Sequence, residues 1–268
     1  MLGKLIKNDY TNRLKMIFAI YVAVILDSIG ITLLQGIMEH ISMPRTIESF
    51  MALTIGLLAV AFFGAIPLII FLSFSDFGKR FFKDQGYLTH TLPVKTSSLM
   101  FARMIGDAIM LVGMVLVYAI GGCIIAKDFS IFGVLFEMFA DFLTEDIGIG
   151  TKAEIALAVI LFIAMAFLYV ILFQWHYNAA YALGHMHAEN KRIMSIVYYV
   201  LLYFVFETVA AIILAVIGVF GYNANGGDLD SLSIVNMTFG IVVIMEVIAI
   251  AATFFITTKV CQKKLNLE

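Results

Sequence analysis

Six long apolar runs constrain the fold of this chain more than any other feature of its sequence. They cover about residues 16–38, 51–74, 98–126, 153–182, 194–221 and 232–258. A run of about 18 or more apolar residues is long enough to cross a bilayer as a helix. Charged residues make up only 13% of the chain, well below the share typical of a water-soluble domain. The sequence therefore predicts an all-α membrane protein with six transmembrane helices, forming one domain over residues 1–268.

The placement of lysine and arginine predicts how this domain is oriented. Basic residues concentrate before the first run, between the second and third, between the fourth and fifth, and after the sixth. The alternate segments hold only Arg45, Lys127 and Lys152. Because segments rich in lysine and arginine stay on the inner side of a membrane, both termini are predicted to be cytoplasmic.

Two segments outside the apolar runs are amphipathic. Residues 1–15 place apolar side chains on one helical face and lysines, asparagines and Arg13 on the other. This pattern favours a helix lying in the inner membrane interface, with a simple polar leader as the alternative. Residues 127–152 combine phenylalanines with acidic residues, which favours an amphipathic helix on the outer surface over a loose loop.

Several functional classes find no support in the sequence. The net charge of −2 gives no basic field for nucleic acid, and the chain has only two cysteines. No phosphate-binding loop, catalytic motif or metal-binding motif is present. His185 and His187 are two residues apart, a spacing that does not suit zinc binding on one helical face, so we interpret them as a hydrated helix end. We therefore predict no catalytic or metal site in this chain.

Five charged residues fall within the predicted spans. Asp27, Glu207 and Glu246 lie near the middle of the first, fifth and sixth runs. Ionised groups at this depth are costly and commonly functional, so these carboxyls either line a polar pathway or are protonated and hydrogen-bonded. Arg103 and Asp107 are four residues apart on the third run, a spacing that favours a structural ion pair.

The longest polar segment, residues 75–97, lies between the second and third runs. Phenylalanines at 77, 81 and 82 alternate there with Lys79, Arg80 and Lys83, which predicts a short amphipathic helix on the inner surface. Gly86 permits a sharp turn, and Pro93 favours an extended entry into the next helix. Such a basic, aromatic hairpin suits docking to a soluble partner or to anionic lipid.

Within this region the sequence DQGYLTHTLPVKTSSLMFARMI, residues 84–105, resembles the D-E-G-Y-L-T-x-T-L-P-V signature of permease subunits of bacterial ABC transporters of the type 2 exporter class. The six-helix pattern agrees with that family over the whole chain. Gln85 replaces an expected acidic residue. The larger outer segment lies between the third and fourth runs, whereas the family commonly has short re-entrant elements before the sixth helix.

The resemblance implies a permease that moves a peptide, drug or lipid-like substrate across the bacterial cytoplasmic membrane. It implies two cytosolic ATPase subunits that hold ATP and magnesium, a second permease copy or paralogue, and no cofactor or ATP hydrolysis in this chain itself. It also implies that the segment after the second helix couples to the ATPase. The residues assigned to coupling are Lys79, Arg80, Lys83, Asp84, Gly86, Tyr87, Leu88 and Pro93.

Two other classes of function remain as alternatives. A non-transporting membrane immunity or sensor protein would bind a peptide without an ATPase. An intramembrane enzyme would use Asp27, Glu207 or Glu246 for catalysis.

Overall fold

The computed structural model describes residues 2–82, 86, 94–128, 130–142, 152–187, 189–224 and 231–263. Regular structure in these residues is helical, with no strand among them. Helix bounds are defined for α1 Leu2–His40, α2 Arg45–Phe82, α3 Thr96–Ala126, α4 Ile131–Asp141, α5 Lys152–Gly184, α6 Lys191–Ala224 and α7 Ser231–Lys263.

Six of these helices are long and apolar enough to cross a membrane. The spans are Ile17–His40, Arg45–Phe82, Thr96–Ala126, Ala153–Gly184, Lys191–Gly218 and Ile234–Gln262. Each overlaps one of the apolar runs, so the prediction of an all-α chain with six helices able to span a membrane is confirmed for the described residues. The side of the membrane on which the termini lie stays a prediction.

The N-terminal residues differ from the separate interfacial helix that the sequence favours. Residues 2–15 are helical, but they are the first turns of α1, which continues without a break to His40. The exposed and buried faces also differ from the prediction. Arg13, predicted to share the polar face with the lysines, is buried, whereas Lys4 and Lys7 are exposed. Proline is absent from α1, and Arg13 finds charged partners, so nothing forces the helix to end before the span.

The second helix is also longer than its apolar run. It extends through Pro67 and ends only at Phe82. Residues 77–82 are therefore the last turns of α2 and not a separate inner-surface helix, which corrects the sequence interpretation of this stretch. The reason is that these turns bury three phenylalanines, Phe77, Phe81 and Phe82, which gives the polar end of the helix a packed face.

The outer segment predicted at residues 127–152 contains a short helix, α4. It follows a left-handed residue, Lys127, which has a φ of 56° and ends α3. Residues 143–151 lie outside the described part of the chain. The position of α4 at the outer surface stays a prediction.

Backbone contacts divide the chain into two compact units, which are described separately. Unit 1 comprises Met1–Ser75 and Ser97–Gly133 and contains α1, most of α2 and α3. Its core packs Ile17, Ile69, Met110 and Met114 together, and tyrosines join the helices. The Tyr21 hydroxyl, for example, donates a 2.7 Å hydrogen bond to the Met110 carbonyl. Such bonds satisfy polar groups that hydrocarbon cannot.

Unit 2 comprises Asp76–Thr96 and Val134–Glu268, and its core lies around α5. This helix packs against both α6 and α7. On the side of α7, Trp175 is fully buried and its ring lies 5.4 Å from that of Phe254. Buried Ala179 and Ala182 follow on the same helix, and small residues of this kind allow membrane helices to approach closely.

Candidate functional sites

A cluster of charged side chains is buried in unit 1. The Arg13 guanidinium donates hydrogen bonds to the carboxylates of Asp9 and Asp107. Arg103 Nε lies 3.2 Å from Asp107 Oδ1, and its Nη2 donates a 2.8 Å bond to the Ser73 carbonyl. We call these five residues the ion network. It joins α1, α2 and α3 at one point.

The ion network is almost fully shielded from solvent. Arg13 and Arg103 are each only 1% exposed, and the two arginines and two aspartates balance in formal charge. A buried ion pair does not by itself prove a gain in stability, but removal of one partner costs about 3–5 kcal/mol because the other charge is left buried. The arrangement therefore suits a structural tie that holds three helices in register.

Sequence spacing identified only part of this network. Arg103 pairs with Asp107, as their separation by four residues predicted. Arg13, Asp9 and Ser73 were missed, although the i, i+4 spacing of Asp9 and Arg13 was a detectable signal. Arg13 was instead interpreted as a basic topology signal on a polar face.

The described part of the predicted coupling segment is the end of α2, and it packs against α5 through aromatic rings. The centroid of the Phe82 ring lies 5.4 Å from that of Tyr181 and 4.8 Å from that of His185. Tyr181 stacks on His185 at 4.2 Å, and Phe77 meets Tyr181 edge-on at 6.2 Å. We call Phe77, Phe82, Tyr181 and His185 the aromatic joint. It fixes the end of α2 within unit 2.

The two basic residues near the end of α2 in this segment have different surroundings. Lys79 is exposed, whereas Arg80 Nε donates a 2.9 Å bond to Asp76 Oδ1 one turn earlier. Gly86 is buried. The other residues predicted to couple lie outside the described residues: Lys83, Asp84, Tyr87, Leu88 and Pro93. Their role stays a prediction.

The three mid-membrane carboxyls are not brought into one site within either unit. Asp27 belongs to unit 1, where it is half-buried and lies near Tyr118. Glu246, on α7 of unit 2, is 1% exposed, and its Oε2 atom has no hydrogen-bond partner among the described residues. Glu207, on α6, is half-exposed and interacts with Tyr203 one turn before it.

Two further buried polar side chains of α5 were not singled out from the sequence. Trp175 and Asn178 are fully buried, and within the described residues neither the indole N–H nor the Asn178 amide has a hydrogen-bond partner. Both occur inside a continuous apolar run, where a tryptophan or an asparagine resembles an ordinary span residue. Only helix packing shows that they are buried.

The two histidines considered for metal binding have separate partners. His185 belongs to the aromatic joint, and His187 Nε2 lies 3.0 Å from the Tyr198 hydroxyl. No group of three or more histidine, cysteine, aspartate or glutamate side chains with metal-binding geometry occurs within the described residues.

The six long apolar helices indicate a multi-pass membrane protein whose described regular structure is helical. Comparison with protein-family models, with curated proteins and with solved structures finds no match for this chain.

Proposed function

We propose that this chain is the membrane-spanning permease subunit of an ATP-driven exporter of the ABC type 2 class. In this proposal it lies in the bacterial cytoplasmic membrane with both termini in the cytoplasm, and separate ATPase subunits bind and hydrolyse ATP. A second permease copy or paralogue completes the membrane part. The main support is the family-like sequence at residues 84–105, which directly follows an α2 end that is fixed by the aromatic joint.

The surroundings of this segment suit a force-transmitting element. Before this segment, α2 ends in the aromatic joint. A displacement of the segment therefore acts on α5 within unit 2. The last part of this sequence is the start of α3, which begins at Thr96 and reaches Arg103 within about two turns, so the same displacement acts on the ion network of unit 1. In the sequence, residues 83–95 connect two packed helices, an arrangement that suits transmission of a displacement.

The exposed Lys79 is the described residue best placed to meet an ATPase. Arg80 is less suitable for a test, because reversing its charge also breaks its pair with Asp76. We therefore predict that Lys79→Glu lowers capture of the ATPase about three- to tenfold, which corresponds to roughly 1 kcal/mol. Lys259→Glu, which reverses an exposed lysine predicted to lie on the same side, should leave the capture unchanged.

The measurement is affinity purification of the tagged chain from its native membrane, followed by identification of proteins present in near-equal amounts. A soluble ATPase with a phosphate-binding loop, reduced by Lys79→Glu but not by Lys259→Glu, supports the permease. Absence of such an ATPase under conditions that preserve other membrane complexes contradicts the proposal. That result would favour a non-transporting immunity or sensor protein.

A further inference from the structure

Three tyrosines and a carboxyl gather on a partly open face of unit 2. Tyr203 and Glu207 are one turn apart on α6 and interact through their side chains. Tyr199 lies one turn before Tyr203 on α6, and Tyr169, on α5, is near both side chains. Tyr169 and Tyr203 are 44% and 40% exposed. We call these four residues the tyrosine–glutamate cluster.

Packing on α5 holds one side of this cluster. The Tyr199 ring meets the Phe173 ring edge-on, with 6.0 Å between their centroids. None of the residues in the most apolar stretch of α6 is buried, and the Tyr169 and Tyr203 side chains are partly exposed. The Tyr199 ring is therefore packed against α5, while the Tyr169 and Tyr203 rings remain accessible from outside the chain.

The carboxyl of this cluster has no cationic partner in the described structure. Glu207 forms no ion pair among the described residues, in contrast to Asp107, which contacts two arginines. The basic residues of its own helix are Lys191 and Arg192, about four turns away. Glu207 nevertheless lies near the middle of a span, a position where charged groups are normally paired or functional.

Tyrosine faces carry negative electrostatic potential, and aromatic rings placed around a cation are a recurrent way to bind ammonium-type groups. A nearby carboxylate adds a full negative charge to the same attraction. The neighbouring exposed side chains, such as Phe204 and Val200, are apolar, so a ligand here must itself be apolar apart from its charge.

We propose that the tyrosine–glutamate cluster binds lipophilic cations that enter from the bilayer. Its assignment as a substrate site rests on the proposed export function, but its affinity for cations can be measured without any ATPase. The predicted ligand class is a monovalent cation whose charge is spread over or surrounded by hydrocarbon.

The test uses the purified full chain in nanodiscs of zwitterionic lipid. Two probes of similar shape and opposite charge are compared by equilibrium binding: radiolabelled tetraphenylphosphonium and tetraphenylborate. The wild-type chain should bind the cation saturably and prefer it to the anion. Empty nanodiscs give the background due to partitioning into lipid.

Four variants separate the parts of the site. Glu207→Gln should weaken binding of the cation about tenfold, and Tyr203→Leu should do the same because it removes a ring. Tyr203→Phe retains the ring and should lose less affinity than Tyr203→Leu. Glu246→Gln changes a carboxyl that is buried on α7 and should bind the cation like the wild type. Elution of Glu207→Gln as a monodisperse species like the wild type would show that this variant is folded.

Two results would overturn the site. The first is a failure of charge selectivity, seen either as equal affinity of the wild type for the two probes or as unchanged affinity of Glu207→Gln for the cation. The second is efficient disulfide formation between two chains that carry Tyr203→Cys in a background without Cys123 and Cys261. Such a disulfide would show that a second copy covers this face. These results do not depend on capture of an ATPase. Loss of cation binding with ATPase capture intact overturns only the site. Cation binding without capture of an ATPase overturns only the exporter.

Discussion

Gly106 leaves the space that the Arg13 guanidinium fills. A Cβ atom at this position would overlap Arg13 Nη2 and would lie 2.8 Å from Asp9 Oδ2. We therefore predict that Gly106→Ala destabilises the chain by about 1–3 kcal/mol, the usual cost of overpacking. The measurement is the temperature at which half of the detergent-solubilised protein stays monodisperse after heating.

Gly122 on the same helix is the matched control for this substitution. A Cβ atom there would meet nothing within 4 Å, so Gly122→Ala should keep or slightly raise that temperature. Equal behaviour of the two variants would show that the contact between Arg13 and Gly106 is not a tight one in the folded protein.

At this scale the sequence predicts local partners and misses distant ones. Arg103 and Asp107 share one helix, and helical spacing alone places them in contact. Arg13 reaches an aspartate 94 positions away, a distance that no local pattern encodes. Arg13 is buried because three helices pack around it. Residue spacing along the sequence does not reveal that packing.

Among the elements, the end of α2 lies close against α5 at Gly78. A Cβ atom there would lie 2.8 Å from the Tyr181 hydroxyl oxygen, at the edge of the aromatic joint. If the proposed coupling is correct, Gly78→Ala should displace Tyr181 and lower the permease-stimulated ATP hydrolysis of the reconstituted complex about two- to tenfold, as an overpacking cost of roughly 1 kcal/mol allows. The amount of bound ATPase should stay the same.

Gly64, also on α2, provides the comparison, because a Cβ atom there would meet nothing within 4 Å. Gly64→Ala should stimulate hydrolysis like the wild type. Normal stimulation by Gly78→Ala would argue that the aromatic joint does not carry the coupling.

The existence of the six spans was predictable, but the ends of α1 and α2 were not. Apolar runs reveal the part of a helix that faces hydrocarbon. The polar turns at residues 2–15 and 75–82 continue these helices because their charged and aromatic side chains find partners within the fold. Partners such as Asp107 and Tyr181 lie on other helices, so the sequence pattern suggests a boundary where the structure has none.

For the molecule as a whole, the distribution of basic residues predicts the orientation. Green fluorescent protein fused to either terminus should fluoresce, since it folds in the cytoplasm, and alkaline phosphatase fused there should be inactive. Phosphatase inserted after Asp128, near the start of the predicted outer segment, should be active. Phosphatase activity at the termini would reverse the orientation and with it the proposed access of an ATPase to Lys79.

The ion network also has a consequence for biogenesis. Ribosomes add about 5–20 residues per second, so the 94 positions between Arg13 and Asp107 take on the order of 5–20 s to synthesise. During that interval the first helix is already made while its partners on the third are still missing. The pairing of Arg13 with Asp9 on the same helix neutralises the charge in the meantime. The nascent chain thus carries its own counterion, and the arrival of the third span adds Asp107 and Arg103 to this local pair.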